Sequence, residues 1–297
     1  MGFAALSPNG RGIAFMCGAV AILPVMDAVS KHLTESHGPV QIAAVRFGFL
    51  LLLLGPLALR HGGRAALRPA GRGMLLLRGL LLSTSSMLFV AALAHVPLAT
   101  AQSIVLVFPL IVTALSPWLL GETVGPIRRG AVALGFLGAL MIIRPGLEPV
   151  GAGQLFALAA AVVYALYAVL TRRMAGGTGR LTQLLWTVIG ALALTGALAP
   201  YGWRMPDATD LALMALCGVL SGIAHLMIIA AYSEAEATAV VPFSYLQIAF
   251  GAAIGYAVWG NLPDALSWGG IALIAGGGIV VALRSKTPPQ VRGGGRA

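Results

Sequence analysis

Charge is scarce in this chain. Only 9% of its 297 residues are Asp, Glu, Lys or Arg, and nine of them are acidic. A soluble domain carries about 25% charged residues, so this chain cannot cover a water-facing surface. Cysteine is nearly missing as well. Cys17 and Cys217 both fall inside apolar runs, which excludes a disulfide framework. No P-loop, dinucleotide fingerprint or metal-ligand cluster appears, so no ATPase engine, cofactor or metal is expected. Strict polar–apolar alternation is lacking too. Runs such as Phe49 to Leu54 exclude a membrane barrel, whose strands must alternate.

What is present is hydrophobic sequence, 59% of the chain. A membrane span needs about 20 apolar residues. Ten segments qualify: 11–33, 40–60, 72–95, 98–120, 126–144, 151–173, 180–201, 208–233, 237–260 and 265–284. The first is too long for a signal-peptide core and is followed by no small-residue cleavage site, so it reads as a span. The connections are short and leave no room for a soluble domain. The predicted fold class is therefore an all-α integral membrane protein of ten transmembrane helices.

The net charge of +10 does not form the basic stripe of a nucleic-acid binder. The basic residues collect at alternate span ends instead. Arg11, Arg60, Arg64, Arg68, Arg72, Arg128, Arg129, Arg172, Arg173, Arg180, Arg284, Lys286, Arg292 and Arg296 make 14 of the 19 Lys and Arg. Lys31, Arg144 and Arg204 fall on the other side, and Arg46 and Arg78 within spans. This bias places both termini in the cytoplasm of a bacterial-type inner membrane. The lipid bilayer is the first partner, and nucleic acid is not one.

The chain also repeats itself. Leu88 to Ile143 aligns with Met227 to Ala282 at an offset of about 139 residues. The alignment pairs Ala91-Ala92 with Ala230-Ala231, Gly121 with Gly260, Gly130 with Gly269 and Gly138 with Gly277. A one-residue slip pairs Ala99-Thr100-Ala101 with Ala237-Thr238-Ala239, and Ala28-Val29 matches Ala168-Val169. Five spans per half is an odd number, so the second half enters from the opposite side. Two inverted five-helix repeats, 1–148 and 149–286, are expected, followed by a disordered basic tail, 287–297. A repeated apolar chain of this kind is the mark of a secondary transporter, with its site between the repeats near mid-membrane.

Leu98-Ala99-Thr100-Ala101, Phe108-Pro109, Gly121-Glu122 and the glycines 130, 135 and 138 resemble the signature of the drug/metabolite transporter superfamily, EamA type. Arg46 resembles the arginine often seen in that family's second span. Gly153 to Arg173, with Tyr164-Ala165-Leu166-Tyr167, resembles the opening of its second repeat. The second half departs from the pattern, with Asn261 after Gly260 in place of a glutamate and Ile248 where Pro109 would map. The resemblance implies transport of small metabolites, and the bacterial exporters of aromatic and other neutral amino acids are the subgroup it points to. Ser83, Thr84, Ser85 and Ser86 stand in the third span where those exporters have bulkier aromatic groups.

An ionisable group inside a span costs about 2.5–3.5 kcal/mol on insertion scales, so each invites a functional reading. Asp27 and Arg46 each lie about six residues from the outer end of their spans, roughly 9 Å deep. They are expected to pair, either to hold two helices together or as a substrate or proton site. Pro24, Asp27 and Lys31 share one helix face and map in the second repeat onto Tyr164, Tyr167 and Thr171. That face is a cavity wall or a packing face. Arg78, about two turns from the cytoplasmic end of its span, is expected to snorkel, with Glu122, Glu234 and Glu236 as partners. His95 is expected at the interface. His225, mid-span, is a titratable site or a hydrogen-bonded packing residue.

Ser83, Ser86, Gln102, Ser103, Tyr245 and Gln247 offer uncharged donors and acceptors for an ammonium, a carboxylate or an amide. The same groups also bridge membrane helices. Pro109 and Pro242 interrupt helices at similar places in the two halves. Gly218-x-x-x-Gly222 and Gly251-x-x-x-Gly255 permit close helix approach, and Gly276-Gly277-Gly278 serves an intramolecular contact or a homodimer.

The function expected is export of small amino acids or related metabolites by alternating access, with broad specificity. Transport of a drug, a nucleoside-like or a cationic metabolite is the rival within the class. Outside it, Ser221 and His225, one turn apart, invite an intramembrane nucleophile–base pair, although Ser221 lacks a G-x-S-G setting. A scaffolding membrane protein is the other alternative.

Overall fold

Prolines and glycines set where the helices begin and end. In lipid the backbone must satisfy its own hydrogen bonds, so an apolar run of span length folds as a helix. The breaks fall where a residue cannot continue the helix or where water returns. Pro8, Pro39 and Pro126 open their helices in the first turn, where a missing N–H costs nothing. Ser7 caps the first helix by accepting from Gly10 N–H at 3.2 Å, and Asp207 caps another by accepting from Asp210 N–H at 2.7 Å.

The computed structural model describes residues 7–119, 121, 124–144, 150–174, 179–235 and 243–283. All regular structure among them is helical. The elements are α1 (Pro8–Leu33), α2 (Pro39–Gly62), α3 (Arg72–Leu93), α4 (Leu98–Val105), α5 (Phe108–Leu119), α6 (Pro126–Ile143), α7 (Ala152–Arg173), α8 (Arg180–Leu198), α9 (Ala208–Glu234), α10 (Leu246–Trp259) and α11 (Ala265–Leu283). Eight stretches are long and apolar enough to cross a membrane, α4 and α5 together forming one of them. Two shorter apolar helices, α10 and α11, complete ten. Pro242, Glu122, Glu236, the 237–239 repeat segment and the 287–297 tail lie outside the described residues.

The fourth span is broken. Residues 106 and 107 leave the helix, and α5 restarts at Phe108 with Pro109 in its first turn. Proline has no N–H to offer the carbonyl four residues back, which here is that of Val105. The chain crosses the break on tightened bonds, Val107 N–H to Ile104 O at 3.2 Å and Leu110 N–H to Val107 O at 2.9 Å.

Packing repeats between the halves. The first half contributes α1, α2, α3, α4–α5 and α6, and the second α7, α8, α9, α10 and α11. Exchanging corresponding spans turns the α1–α9 contact into α7–α3, α2–α9 into α8–α3, and α1–α10 into α7 against α4–α5. The α2–α8, α4–α10 and α6–α11 contacts map onto themselves. Gly121 and Gly260, partners in the sequence repeat, both take left-handed backbone, φ 66° and 69°. Only glycine adopts that conformation without a steric cost.

Glycines also close the seams. A Cβ on Gly138 would meet Gly270 O, and one on Gly277 would meet Ala131 O, so α6 and α11 approach almost backbone to backbone. Gly278 lies against the Tyr245 ring, which makes the α11 glycines at 277 and 278 intramolecular contacts. Gly218 and Gly222 seat α9 on Phe49, Leu50 and Leu53 of α2, and Gly79 and Gly190 do the same between α3 and α8. Outside the bundle, Leu52, Leu134, Leu137, Leu140, Leu155 and Val162 are exposed, as a lipid-facing wall requires. Trp118, Tyr201 and Trp203 sit exposed at span ends.

Polar ties secure the ends. Arg11 binds Glu234 at 2.7 Å, joining α1 to α9. His37 binds Asp210 at 2.8 Å, and Gln41 clasps the Arg204 backbone through both its amide nitrogen and its oxygen. Lys31 donates to the carbonyl oxygens of Leu93 and Val96, the latter at 2.9 Å, and so caps the end of α3. Arg144 pairs with Asp264 and ties α6 to α11. That guanidinium, helped by Ser267, holds the Asp264 carboxyl well below the usual carboxylate range.

Candidate functional site

The polar interior is built where α1, α2, α3, α4, α7, α9 and α10 meet. On α1, Pro24 removes one internal hydrogen bond, and three residues later Asp27 is carried into the bundle, 4% exposed. Gln102 on α4 donates its Nε2–H to Asp27 at 3.0 Å, and the Gln247 amide on α10 also faces this carboxylate. Gln102 is itself buried. Its amide lies against Gly251, where a Cβ would overlap it, and its Oε1 has no partner.

The expected Asp27–Arg46 ion pair does not form. The two feel each other's charge, but Arg46 donates to the Ser86 hydroxyl on α3, while Gln102 and Gln247 take Asp27. Arg46 Nε is buried without a partner. Two charges of opposite sign are thus held near each other and left open. Such groups are normally satisfied when buried.

An aromatic row lies between the fourth span and α7. Phe108, just past the break in the fourth span, meets Tyr164 edge-on at 4.6 Å between ring centroids, and Tyr164 lies 5.2 Å from Tyr167. All three rings are half-buried, whereas the lipid-facing side of α7 is Leu155, Val162 and Leu166.

Arg78 departs from the sequence expectation. It does not snorkel, and among the described residues it has no acidic partner. It is 7% exposed, donates to Tyr167 Oη at 3.1 Å and Gln183 Oε1 at 3.2 Å, and lies 5.1 Å from the Tyr167 ring centre. Glu234, one of its expected partners, binds Arg11 instead. Distance from a helix end could not reveal Gln183, which belongs to α8.

The serine run divides. Only Ser86 faces Arg46. Ser83 and Thr84 bond back to Leu80 O, and Ser85 donates to Ala160 O on α7 at 2.9 Å. Ser103 bonds back to Ala99 O. Tyr245 turns away from Asp27 and packs against Gly278 of α11. His95 is exposed near the end of α3, 6.0 Å from the Phe156 ring.

His225 lies within electrostatic reach of both Arg46 and Arg78. Its Nδ1 is 2.7 Å from Ser221 O. A carbonyl only accepts, so Nδ1 carries the hydrogen. It therefore cannot take a proton from Ser221 Oγ, 3.5 Å away, and the nucleophile–base arrangement is not made. Among the described residues no His, Cys, Asp and Glu cluster could hold a metal. An apolar recess of about 420 Å³, lined by Val25, Val29, Leu213, Val258 and Trp259 among others, lies between α1, α9 and α10 and includes none of these polar groups.

Phe108 and Gln183 were not singled out from the sequence as site residues. Phe108 stood beside Pro109 in the family signature. Gln183 carried no signal.

A lipid-facing helical bundle with charged and aromatic groups held inside it defines a membrane transporter. The EamA-like transporter family model matches the chain twice, at residues 10–144 and 151–283, and the chain belongs to that family. It is 30% identical to a riboflavin transporter of Rhizobium johnstonii over 89% of this chain and 88% of that one. It is 24% identical to an S-adenosylmethionine uptake transporter of Rickettsia prowazekii, covering 91% and 92%. It is 29% identical to a pseudopaline exporter of Pseudomonas aeruginosa, covering 86% and 88%. These relatives are not named for free amino acids. A crystal structure with a TM-score of 0.65 and 20% identity, covering 92% of this chain and 97% of the other, shares the fold.

Proposed function

We propose that this transporter moves a small metabolite with a flat ring and charged or polar end groups across a bacterial inner membrane. Movement is by alternating access of two inverted five-span halves, with both termini cytoplasmic. The carrying observation is that one bundle interior holds both a polar shelf, Asp27, Gln102, Gln247, Arg46 and Ser86, and the row Phe108, Tyr164 and Tyr167. The shelf holds end groups, and the rings offer a face for stacking. Riboflavin and S-adenosylmethionine, for which two relatives are named, both carry flat heteroaromatic rings. The exchange of packing contacts between the halves supports the two-unit mechanism, and the 14 basic residues on one side support the orientation.

A second reading is export of neutral amino acids. Asp27 and Arg46, opposite in sign and not closed on each other, suit the ammonium and carboxylate of a zwitterion. Counterflow in proteoliposomes separates the two readings. Riboflavin, S-adenosylmethionine, a nucleoside, threonine, methionine, phenylalanine and a cationic dye are compared. Exchange of ring-bearing solutes with none of threonine or methionine supports the first. Exchange of threonine and methionine alone overturns it in favour of the second. Loss of exchange in all cases defeats both.

A further inference from the structure

Resting on this transport reading, we propose that Arg78 is an anion subsite, a second station that receives the carboxylate of the permeant while its ring lies on Tyr167 and Tyr164. Three observations converge on it. Arg78 is more than nine-tenths buried, yet its partners are neutral, the Tyr167 hydroxyl and the Gln183 carbonyl oxygen. Its Nε–H has no acceptor at all. The tyrosine under its guanidinium continues into the row with Tyr164 and Phe108.

The charge inventory of the interior points the same way. Mid-span, the described residues place two guanidiniums, Arg46 and Arg78, against one carboxylate, Asp27. Asp27 is within electrostatic reach of Arg46. Among the described residues, nothing acidic answers Arg78. A buried cation with a free donor and a fork of N–H groups matches a carboxylate, which accepts two parallel hydrogen bonds. Among the described residues the interior therefore carries one guanidinium more than its carboxylates balance, and a carboxylate on the cargo supplies the difference.

Position makes Arg78 a station distinct from the Asp27 shelf. Arg78 and Ser86 are eight residues apart on α3, about 12 Å along its axis and about 80° around it. His225 feels both Arg46 and Arg78, so the two cations border a common region crossed by α9. His225 itself presents a second nitrogen there, since Nδ1 is committed to Ser221 O. The aromatic row reaches Arg78 through Tyr167.

The test uses the full chain, purified and reconstituted, and two acid–amide pairs of the same ring: tryptophan with tryptophanamide, and nicotinate with nicotinamide. Affinity for each is read from the shift in thermal unfolding midpoint with concentration. Wild-type protein is expected to bind the acids at least about tenfold more tightly than the amides. In Arg78→Gln the ratio falls to near one, in Arg78→Lys it keeps part of its value because the charge remains, and in Tyr167→Phe it falls a few-fold. Arg78→Lys and Tyr167→Phe guard against a misfolded Arg78→Gln. Equal binding of acid and amide, no binding of either, or an acid preference that survives in Arg78→Gln overturns the subsite. Wild-type counterflow of riboflavin and S-adenosylmethionine is measured alongside. Flux there with no acid preference sinks Arg78 alone, and absence of exchange for every ring-bearing solute sinks the transport reading beneath it.

Discussion

The α6–α11 pair and the centre around Asp27 are both interiors of the same membrane protein, built on opposite plans. Between α6 and α11 the backbones meet at Gly138, Gly270, Gly277 and Ala131, and the Arg144–Asp264 tie closes one end. The polar interior that includes Asp27 holds two carboxamides, two guanidiniums and three half-buried rings, and Arg46, Arg78 and Gln102 each keep a buried atom without a partner. The first region minimises its energy by close approach of backbones. The second leaves hydrogen-bonding capacity unspent, which is favourable only if something else uses it. Shape holds the first together, and chemistry distinguishes the second.

This contrast is sharpest at Asp27. In Asp27→Asn the charge goes and the shape stays. Loss of a charged hydrogen-bonding group is worth about 1.5–3 kcal/mol, so counterflow at low substrate should fall roughly 10- to 100-fold. The unfolding midpoint should hold or rise, because an unpaired buried charge has been removed. A lowered midpoint with flux intact would make Asp27 a packing residue. The opposite response belongs to Gly277→Leu. Its side chain must enter the space held by Ala131 O, and overpacking costs about 1–3 kcal/mol. The midpoint drops, while KM for the folded fraction is unchanged. A raised KM would join the seam to the site and erase the distinction.

A smaller effect is expected in the aromatic row. Tyr164→Ala removes ring contacts worth about 0.5–1.5 kcal/mol, and KM for a ring-bearing solute should rise about 2- to 12-fold. Tyr164→Phe should stay near wild type, and an equal loss in both variants would assign the function to the hydroxyl. The smallest effect concerns Asp264. Its carboxyl is held below its ordinary range by Arg144 and then by Ser267. A depressed folded-state value stabilises above the unfolded value of 3.8 and fades only as pH falls further. The midpoint difference between wild type and Asp264→Asn should therefore be flat from pH 7.5 to 5. A decline within that window would show that the Arg144 tie is not what sets it.

Much of the architecture could be read from the chain because span length is a property of local sequence. The apolar runs mark the helices, and Pro109 lies two residues past the break at 106–107. The paired glycines 121 and 260 share a conformation that explains why glycine recurs there. The site was less legible because its geometry depends on partners far apart in sequence. Gln102 reaches Asp27 across 75 residues, and Gln183 reaches Arg78 across 105. Depth in the membrane predicted an Asp27–Arg46 pair, but a carboxamide from the fourth span came closer. Helical periodicity cannot show that Ser83 and Thr84 turn back on Leu80 O, or that Tyr245 faces α11.

The interruption at residues 106 and 107 has a mechanical consequence. Gln102 lies before it and Phe108 after it, so the carboxamide that holds Asp27 and the ring that meets Tyr164 belong to two short rods joined by a two-residue break. An unbroken helix would transmit every tilt of one end to the other. Across this joint, α5 can tilt with its neighbours while α4 keeps its hold on Asp27. Bending strain in this span is then confined to a few peptide units instead of being spread over its whole length.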